Sequence, residues 1–520
     1  MLSESLILAT ATDQPRMNPS LLLLLPLLLP LYGAVFCLLF WQRVRAQVFI
    51  AATAQLGWFV SAGLLLYEVS QTGFLTTQIG RWPAPFGITL VADLFSALIL
   101  ASASIVGIAV FLFSLQGLDS MRKKYGYFPL LLFLQLGVSG VCLTGDIFNL
   151  YVWFEVLLIC CFALLALGGT RAQLEGTLKY VTINFFASGI LLTGVGVVYS
   201  LYGSLNMAEL AQVVRQPDHP NLPLLTLCSV FFLTGFGIKS AIFPLFFWLP
   251  ASYHTPPIAI SAFIAGLISK IGIYSLIRLF TLIFIPDAAF MQPLLLVLSA
   301  LTMVIGVIGA AAQKDFRKIL SFHIISQIGY MLMGLAIFTP LALAGSIYFI
   351  IHNILVKTNL FLVSGVVAQQ HHTFSLKKLG GLYLKQPFLA LLFFLSALAL
   401  AGIPPLSGFW GKFMLAMGGF EAGNYGIVAV SLCVSLVTLF SMTKIWNEVF
   451  WKAKPPKSSK PAVAKAVSIR HPMLLYAPLV LLLVFILLIS LYAQPVIALA
   501  QRAANQLLYT NSYIEAVLKK

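Results

Sequence analysis

About fourteen apolar runs, most of them 18 residues or longer, follow one another between residues 19 and 495, and no soluble core can absorb that many. With 60% hydrophobic and 9% charged residues among 520, the chain is expected to be an all-α integral membrane protein forming one continuous bundle. The spans read as 19–41, 47–68, 86–117, 127–143, 146–168, 179–202, 223–249, 258–283, 293–312, 319–337, 341–368, 387–417, 424–450 and 471–495. The third run is longer than one crossing requires, so it should tilt or extend past the surface. The first sixteen residues lack the charge-then-apolar order of a cleavable leader, and Met17 is an alternative start.

Two of these runs carry charges that lipid does not tolerate. Lys239 and Lys270 lie deep in the stretch from Phe231 to Arg278, and an ammonium at membrane depth is costly unless it faces the interior and works there. Lys270 has about a dozen residues before any polar loop, too far to snorkel at 1.5 Å per residue. Pro244, five residues after Lys239, removes a backbone donor and crowds the Ser240 carbonyl. The helix should therefore break beside the lysine, as helices do at ion sites of transporters.

Charge distribution sets orientation and removes one function class. The loop after the first span and every second loop thereafter hold nineteen basic residues, and the other side holds six. The positive-inside rule then places the basic loops in the cytoplasm and both termini on the outer side of the cell membrane. The net charge of +16 is thereby used up, and nothing supports a nucleic-acid partner. The segment 452–471, rich in Pro, Lys and Ser, should be a mobile cytoplasmic loop.

A second interruption is expected at Gly402-Ile403-Pro404-Pro405, where two prolines strip the carbonyls of Leu400 and Ala401 of helical donors, with Lys412 following. Broken spans 7 and 12, about 160 residues apart and each with a lysine, suggest two inverted five-helix repeats, spans 4–8 and 9–13. The expected organisation is an N-terminal three-helix region (1–126), a first half-channel repeat (127–283) and a second inverted repeat (293–450). A linker (451–470) then leads to the last span and tail (471–520).

Among fifteen acids Glu155 stands out, mid-span in GDIFNLYVWFEVLLICC and in need of a cation or a proton. Lys239 is its natural partner, because a fifth and a seventh span can be neighbours. With Lys270, His323, Lys357 and Lys412, these two residues form a succession of titratable groups at membrane depth, and water between them would complete a proton path. Asp146, His352 and His254 are secondary candidates. Asp146 opens a span at the outer face, to cap it or line an exit, and Asp93 lies near the outer end of the third span. Arg278 and Lys444 are expected near helix ends at the interface, with Lys444 pairing with Glu448 one turn on. All six cysteines read as small core residues, and no CxxC pair or Cys/His metal spacing points to a cofactor.

At these residues the chain resembles the antiporter-like subunits shared by respiratory complex I and Mrp-type multisubunit sodium/proton antiporters. The segments are GDIFNLYVWFEVLLI, FGIKSAIFPLFFWLP, AGLISKIGIYSLIR, KDFRKILSFHIISQIGY, HNILVKTNLFLVSG and GIPPLSGFWGKF, in order over nearly the whole chain. The first two, with the terminal YIEAVL, are most similar to the D-type subunits of the Mrp group. The resemblance implies fourteen helices with two inverted repeats, a glutamate–lysine pair at Glu155 and Lys239, and a connecting lysine at Lys270. It further implies that His323 lies on a central polar axis and that Lys412 is the terminal lysine of the second half-channel. Two departures stand out. Ala251 occupies a position where relatives often carry an acid, and Asn353, beside His352, stands where complex I relatives often have histidine.

The function expected is proton translocation in a sodium/proton antiporter complex, with other membrane subunits, the lipid bilayer, protons and, through this chain or a partner, sodium as its contacts. The alternative is a proton-pumping subunit of complex I or of a membrane-bound hydrogenase. A haem- or quinone-binding redox enzyme lacks a ligand arrangement, and a passive scaffold leaves the buried lysines unexplained.

Overall fold

The computed structural model describes residues 18–216, 222–285, 289–453 and 473–518. The residues around the alternative start Met17 and most of the expected linker, 454–472, lie outside them.

Asn18 caps the first helix, Pro19–Leu39 (α1), which pairs with Val44–Thr72 (α2). An antiparallel hairpin of Leu75–Gln78 (β1) and Thr89–Ala92 (β2) follows, and Leu94–Gly117 (α3) begins only after it. The expected long third span is thus corrected: its first residues pair as a strand, and Asp93 caps α3 through Ser96. A short apolar run such as Ile88–Ala92 suits strand or helix, and the neighbouring prolines and glycine decide for the strand.

Next come Ser120–Lys124 (α4), Tyr127–Leu143 (α5), Ile147–Ala166 (α6), Arg171–Tyr202 (α7) and Met207–Val214 (α8). The first interruption separates Leu222–Ser240 (α9) from Trp248–Ser252 (α10), and Ile258–Leu282 (α11) is buried over its whole length. Met291–Ala312 (α12), Phe316–Ile337 (α13) and Pro340–His371 (α14) follow, the last two almost entirely inside. After Leu382–Lys385 (α15) comes the second interruption, between Pro387–Ala401 (α16) and Ser407–Glu421 (α17). Tyr425–Ile445 (α18), Met473–Leu491 (α19), Ala493–Leu508 (α20) and Asn511–Leu518 (α21) complete the chain.

The protein is a multi-pass helical membrane protein. Among the described residues eleven helices are each long and apolar enough to cross a bilayer, or twelve if the pair Leu475–Leu491 and Ala493–Leu508, bent by 80°, counts as one span. The apolar helices α5 and α16 are shorter.

Basic loops gather at one end. At the other end lie the β-hairpin, the Gly145–Asp146 turn and α21. There the Gly145 amide donates to the Thr89 carbonyl, and Asp146 caps α6 by accepting from the Asn149 amide at 2.7 Å. That cap fixes the start of the helix that carries Glu155.

Three further expectations are corrected. Arg278 does not reach the interface. It is buried and donates two hydrogen bonds to Asp93, at 2.6 and 2.7 Å, with Phe95, Tyr274 and Tyr513 around it. Lys444 does not pair with Glu448. Its Nζ donates to the carbonyls of Ala311 and Gln313 at the open end of α12, where helix carbonyls lack intrahelical donors. The wider π turn over Trp446–Trp451 carries Glu448 toward Lys452 instead. Five of the six cysteines are buried, whereas Cys433 is exposed on α18.

Candidate functional site

The first helix break is built from local chemistry. Ala241 takes a left-handed conformation (φ 62°), Pro244 has no N–H to continue the ladder, and the chain turns until α10. The Ile238 carbonyl accepts from the Trp248 indole at 3.0 Å and from the Ala241 amide, and the break leaves Lys239 in the last turn of α9.

Lys239 Nζ donates to the Ser188 hydroxyl at 3.0 Å, and that hydroxyl donates to Glu155. The ammonium and carboxylate are 4.0 Å apart, with side chains 5% and 24% exposed, and Nζ lies 5.4 Å from the Phe154 ring centre. The expected pair is therefore brought together, but with a serine between its members. Sequence reasoning misses Ser188, whose only signal is a small hydroxyl residue among the large apolar ones of α7.

Close backbone approach leads inward from there. A Cβ on Gly272 would stand 2.3 Å from Ser240 Oγ and 3.2 Å from the Ser240 amide nitrogen, so glycine lets α11 lie closely against the end of α9. This sets the turn bearing Lys239 beside the turn bearing Lys270. Lys270 is fully buried and donates to the Ala265 carbonyl of its own helix at 2.6 Å. One turn back, Gly266 plays the same part toward Thr358, where a Cβ would meet Oγ1 at 2.1 Å. That contact docks α14, and with it Lys357, against α11.

Lys357 is fully buried, and its Nζ has no hydrogen-bond partner among the described residues. It lies within electrostatic reach of both Lys270 and Lys412. His323 packs beside this row, with Nε2 2.5 Å from Ser441 Oγ and Nδ1 unpartnered among the described residues. His352 sits against the second break, its Nδ1 2.7 Å from Ser407 Oγ and its ring stacked on Phe349.

Lys412 ends the row. Its Nζ donates to the Ala401 carbonyl at 2.9 Å and reaches the Leu400 carbonyl at 3.5 Å, the two acceptors that Pro404 and Pro405 leave without helical donors. It also lies 4.8 Å from the centre of the Tyr330 ring, whose hydroxyl donates to the Ser431 carbonyl and contacts Ser435. Tyr330 is a second residue that sequence reasoning misses, although it ends the segment SFHIISQIGY.

Asp146 and His254 stand apart from the row. Asp146 is a helix cap at the hairpin end. His254 lies on the loop between α10 and α11 at the basic end, beside a cavity of about 400 Å³ that Glu175, Lys179 and Lys318 also line. Among the described residues no group of three or more His, Cys, Asp or Glu could hold a metal ion.

Fold and site together define a polytopic helical membrane protein with titratable side chains buried in its interior. Residues 144–438 match the family model for the membrane subunits of NADH:quinone oxidoreductase and the Mrp antiporter. The D-type subunit of the Na(+)/H(+) antiporter of Alkalihalophilus pseudofirmus is 46% identical over 96% of this chain and 99% of its own length. Its counterpart in Bacillus subtilis is 41% identical with the same coverage. Among solved structures, a chain of the Mrp complex from Dietzia sp. DQ12-45-1b superposes with a TM-score of 0.88 at 30% identity, covering 96% of this chain and 99% of that one. A chain of an archaeal membrane-bound sulfane sulfur reductase gives 0.84 at 25% identity, covering 95% and 99%. The chain belongs to the NADH:quinone oxidoreductase/Mrp antiporter family of membrane subunits.

Proposed function

We propose that this chain is the D-type, proton-translocating subunit of a multisubunit Na+/H+ antiporter in the cell membrane. It is a secondary transporter component and not itself an enzyme. The observation that carries this reading is the row of buried amines from Lys239 through Lys270 and Lys357 to Lys412, headed by one carboxylate, Glu155, through Ser188. Near-full-length similarity to proteins named as D-type subunits of Na(+)/H(+) antiporters favours exchange over redox pumping as the engine.

In this reading a proton enters from the cytoplasmic side and is held at the Glu155–Lys239 pair. It then moves through Lys270 and Lys357, beside His323, and leaves by Lys412, with water linking groups too far apart for direct transfer. An amine serves because it releases and regains a proton where desolvation disfavours its charge. The two broken helices fit inverted halves, 127–283 and 293–450, behind the region 1–126, and the linker 451–470 leads to the terminal segment 471–520. The basic loops lie in the cytoplasm and both termini outside. Described residues at the two ends, Pro19 of α1 and all of α21, lie at the end opposite those loops, which supports this orientation. Exposed apolar side chains on α6 and α7, among them Ile159, Phe162, Phe185 and Phe186, suit neighbouring subunits and lipid.

The test is purification with co-purifying subunits, followed by reconstitution into proteoliposomes under an imposed sodium gradient. The assembled complex is expected to move protons against sodium, whereas this chain alone inserts without appreciable exchange. Full exchange by the isolated chain, or co-purification with iron–sulfur subunits and no sodium-driven proton movement, would overturn the reading.

A further inference from the structure

At the basic end, the start of α7, the loop after α10 and the start of α13 enclose the cavity of about 400 Å³ next to His254. Its wall carries Glu175 and Lys179, paired at 2.5 Å on α7, and Lys318 on α13, with Arg317 and Asp315 close by on the same chain segment. Ala251 also lines it and offers only a methyl group. Among residues 241–257, a stretch without Asp, Glu, Lys or Arg, His254 is the side chain that can exchange a proton near neutral pH.

The ring's orientation is specified. Nδ1 lies 2.8 Å from the Pro250 carbonyl, which can only accept, so Nδ1 carries the hydrogen and Nε2 holds the free lone pair of the neutral ring. Inward from this loop, the adjacent Tyr253 is fully buried, and its hydroxyl has no partner among the described residues. Tyr253 and Tyr180 both pack edge-on against Trp248, the residue whose indole holds the Ile238 carbonyl next to Lys239. Cys161 lies within electrostatic reach of Tyr180, Tyr253 and Lys239 alike. Trp248 thus joins both tyrosines to the turn that carries Lys239, and each tyrosine brings a hydroxyl.

We propose that this cavity is the inner entrance for protons and that His254 takes them up, passing them through the Tyr253 and Tyr180 hydroxyls toward Lys239. The inference rests on the orientation and transport role proposed above. A proton from cavity water binds Nε2, while Nδ1–H keeps donating to the Pro250 carbonyl. The Nε2 proton then passes to a tyrosine oxygen as that hydroxyl gives up its own hydrogen inward, so no tyrosinate forms and neutral Lys239 becomes ammonium. Burial, with Lys318 and Arg317, holds the imidazole below its ordinary value against the opposing pull of the Pro250 carbonyl and Asp315, which favours release once a proton is bound.

The experiment uses the whole complex in inside-out membrane vesicles, where the cytoplasmic face meets the medium. His254→Gly is expected to slow sodium-driven proton movement by roughly tenfold or more, the scale of a lost proton-transfer group. Added imidazole should restore much of the rate, and pyrrole, similar in size but without a basic nitrogen, should not. His254→Gln, which can still donate to Pro250 but cannot shuttle a proton, should be as slow as the glycine variant. Wild-type rates in either variant, or an assembled glycine variant that imidazole does not restore, would overturn the assignment. If the wild-type vesicles exchange and Glu155→Gln stops them, such results defeat only the entrance. If the wild-type vesicles do not exchange, the transport reading fails and takes the entrance with it.

Discussion

Among the described residues, two acid–base pairs join helices inside the bundle, and they are built in opposite ways. Asp93 and Arg278 face each other through two hydrogen bonds of 2.6 and 2.7 Å, with side chains 2% and 8% exposed and three aromatic rings around the guanidinium. Glu155 and Lys239 stand 4.0 Å apart with the Ser188 hydroxyl between them. The first pair joins a planar fork to a carboxylate and uses a cation that does not lose its proton in proteins. The second uses an amine, a group that can lose its proton, in the last turn of a helix broken before Pro244. A fixture ties elements together, whereas a carrier must be able to come apart. Lys412 extends the contrast, because no acid meets it among the described residues and backbone carbonyls freed by proline hold it instead.

The largest effect is expected where the fixture is broken. Arg278→Met leaves Asp93 buried and unpaired, a loss of about 3–5 kcal/mol for a buried pair. Little folded protein should be recovered by fluorescence-detected size-exclusion chromatography, and the double change Asp93→Leu with Arg278→Met should recover part of it. A stable single variant with lost transport would place Asp93 and Arg278 among the carriers and erase the contrast.

Next comes the terminal lysine. Lys412→Arg keeps a positive charge but does not release a proton at working pH, so it should stop proton movement as fully as Lys412→Ala while assembly persists. Dye assays of pH jumps in vesicles containing the complex check this. An arginine variant with most of the wild-type rate would make Lys412 a second fixture.

The smallest effect belongs to the bridge. Ser188→Ala removes one hydroxyl from between the pair, which should change stability by about 1 kcal/mol and slow exchange only several-fold, because water can take its place. A rate equal to wild type would show that the pair communicates without the serine.

Much of this arrangement is legible in the chain. Charges inside apolar runs are rare enough that Glu155, Lys239, Lys270, Lys357 and Lys412 stand out unaided, and prolines mark both helix breaks. What does not show depends on neighbours distant in sequence. Arg278 lies four residues from the end of α11, where a long side chain could reach the interface, and only the fold brings Asp93 to it. Ser188 and Tyr330 look like ordinary residues of membrane helices until Lys239 and Lys412 are placed beside them. The β-hairpin is hidden because a run as short as Ile88–Ala92, apolar but for Thr89, fits either period. Lys444 meets the open end of α12 rather than a carboxylate on its own helix, a choice that local spacing does not reveal.

The transport role proposed for the Glu155–Lys239 pair meets its most direct test in Glu155→Gln, introduced into the complete complex. The amide keeps the shape and can still meet Ser188, but it removes the carboxylate that sets the charge of Lys239. Sodium-driven proton exchange in proteoliposomes should fall to near background, while the complex assembles with all its subunits and melts near the wild-type temperature. Near-normal exchange by that assembled variant would contradict the role assigned to the pair.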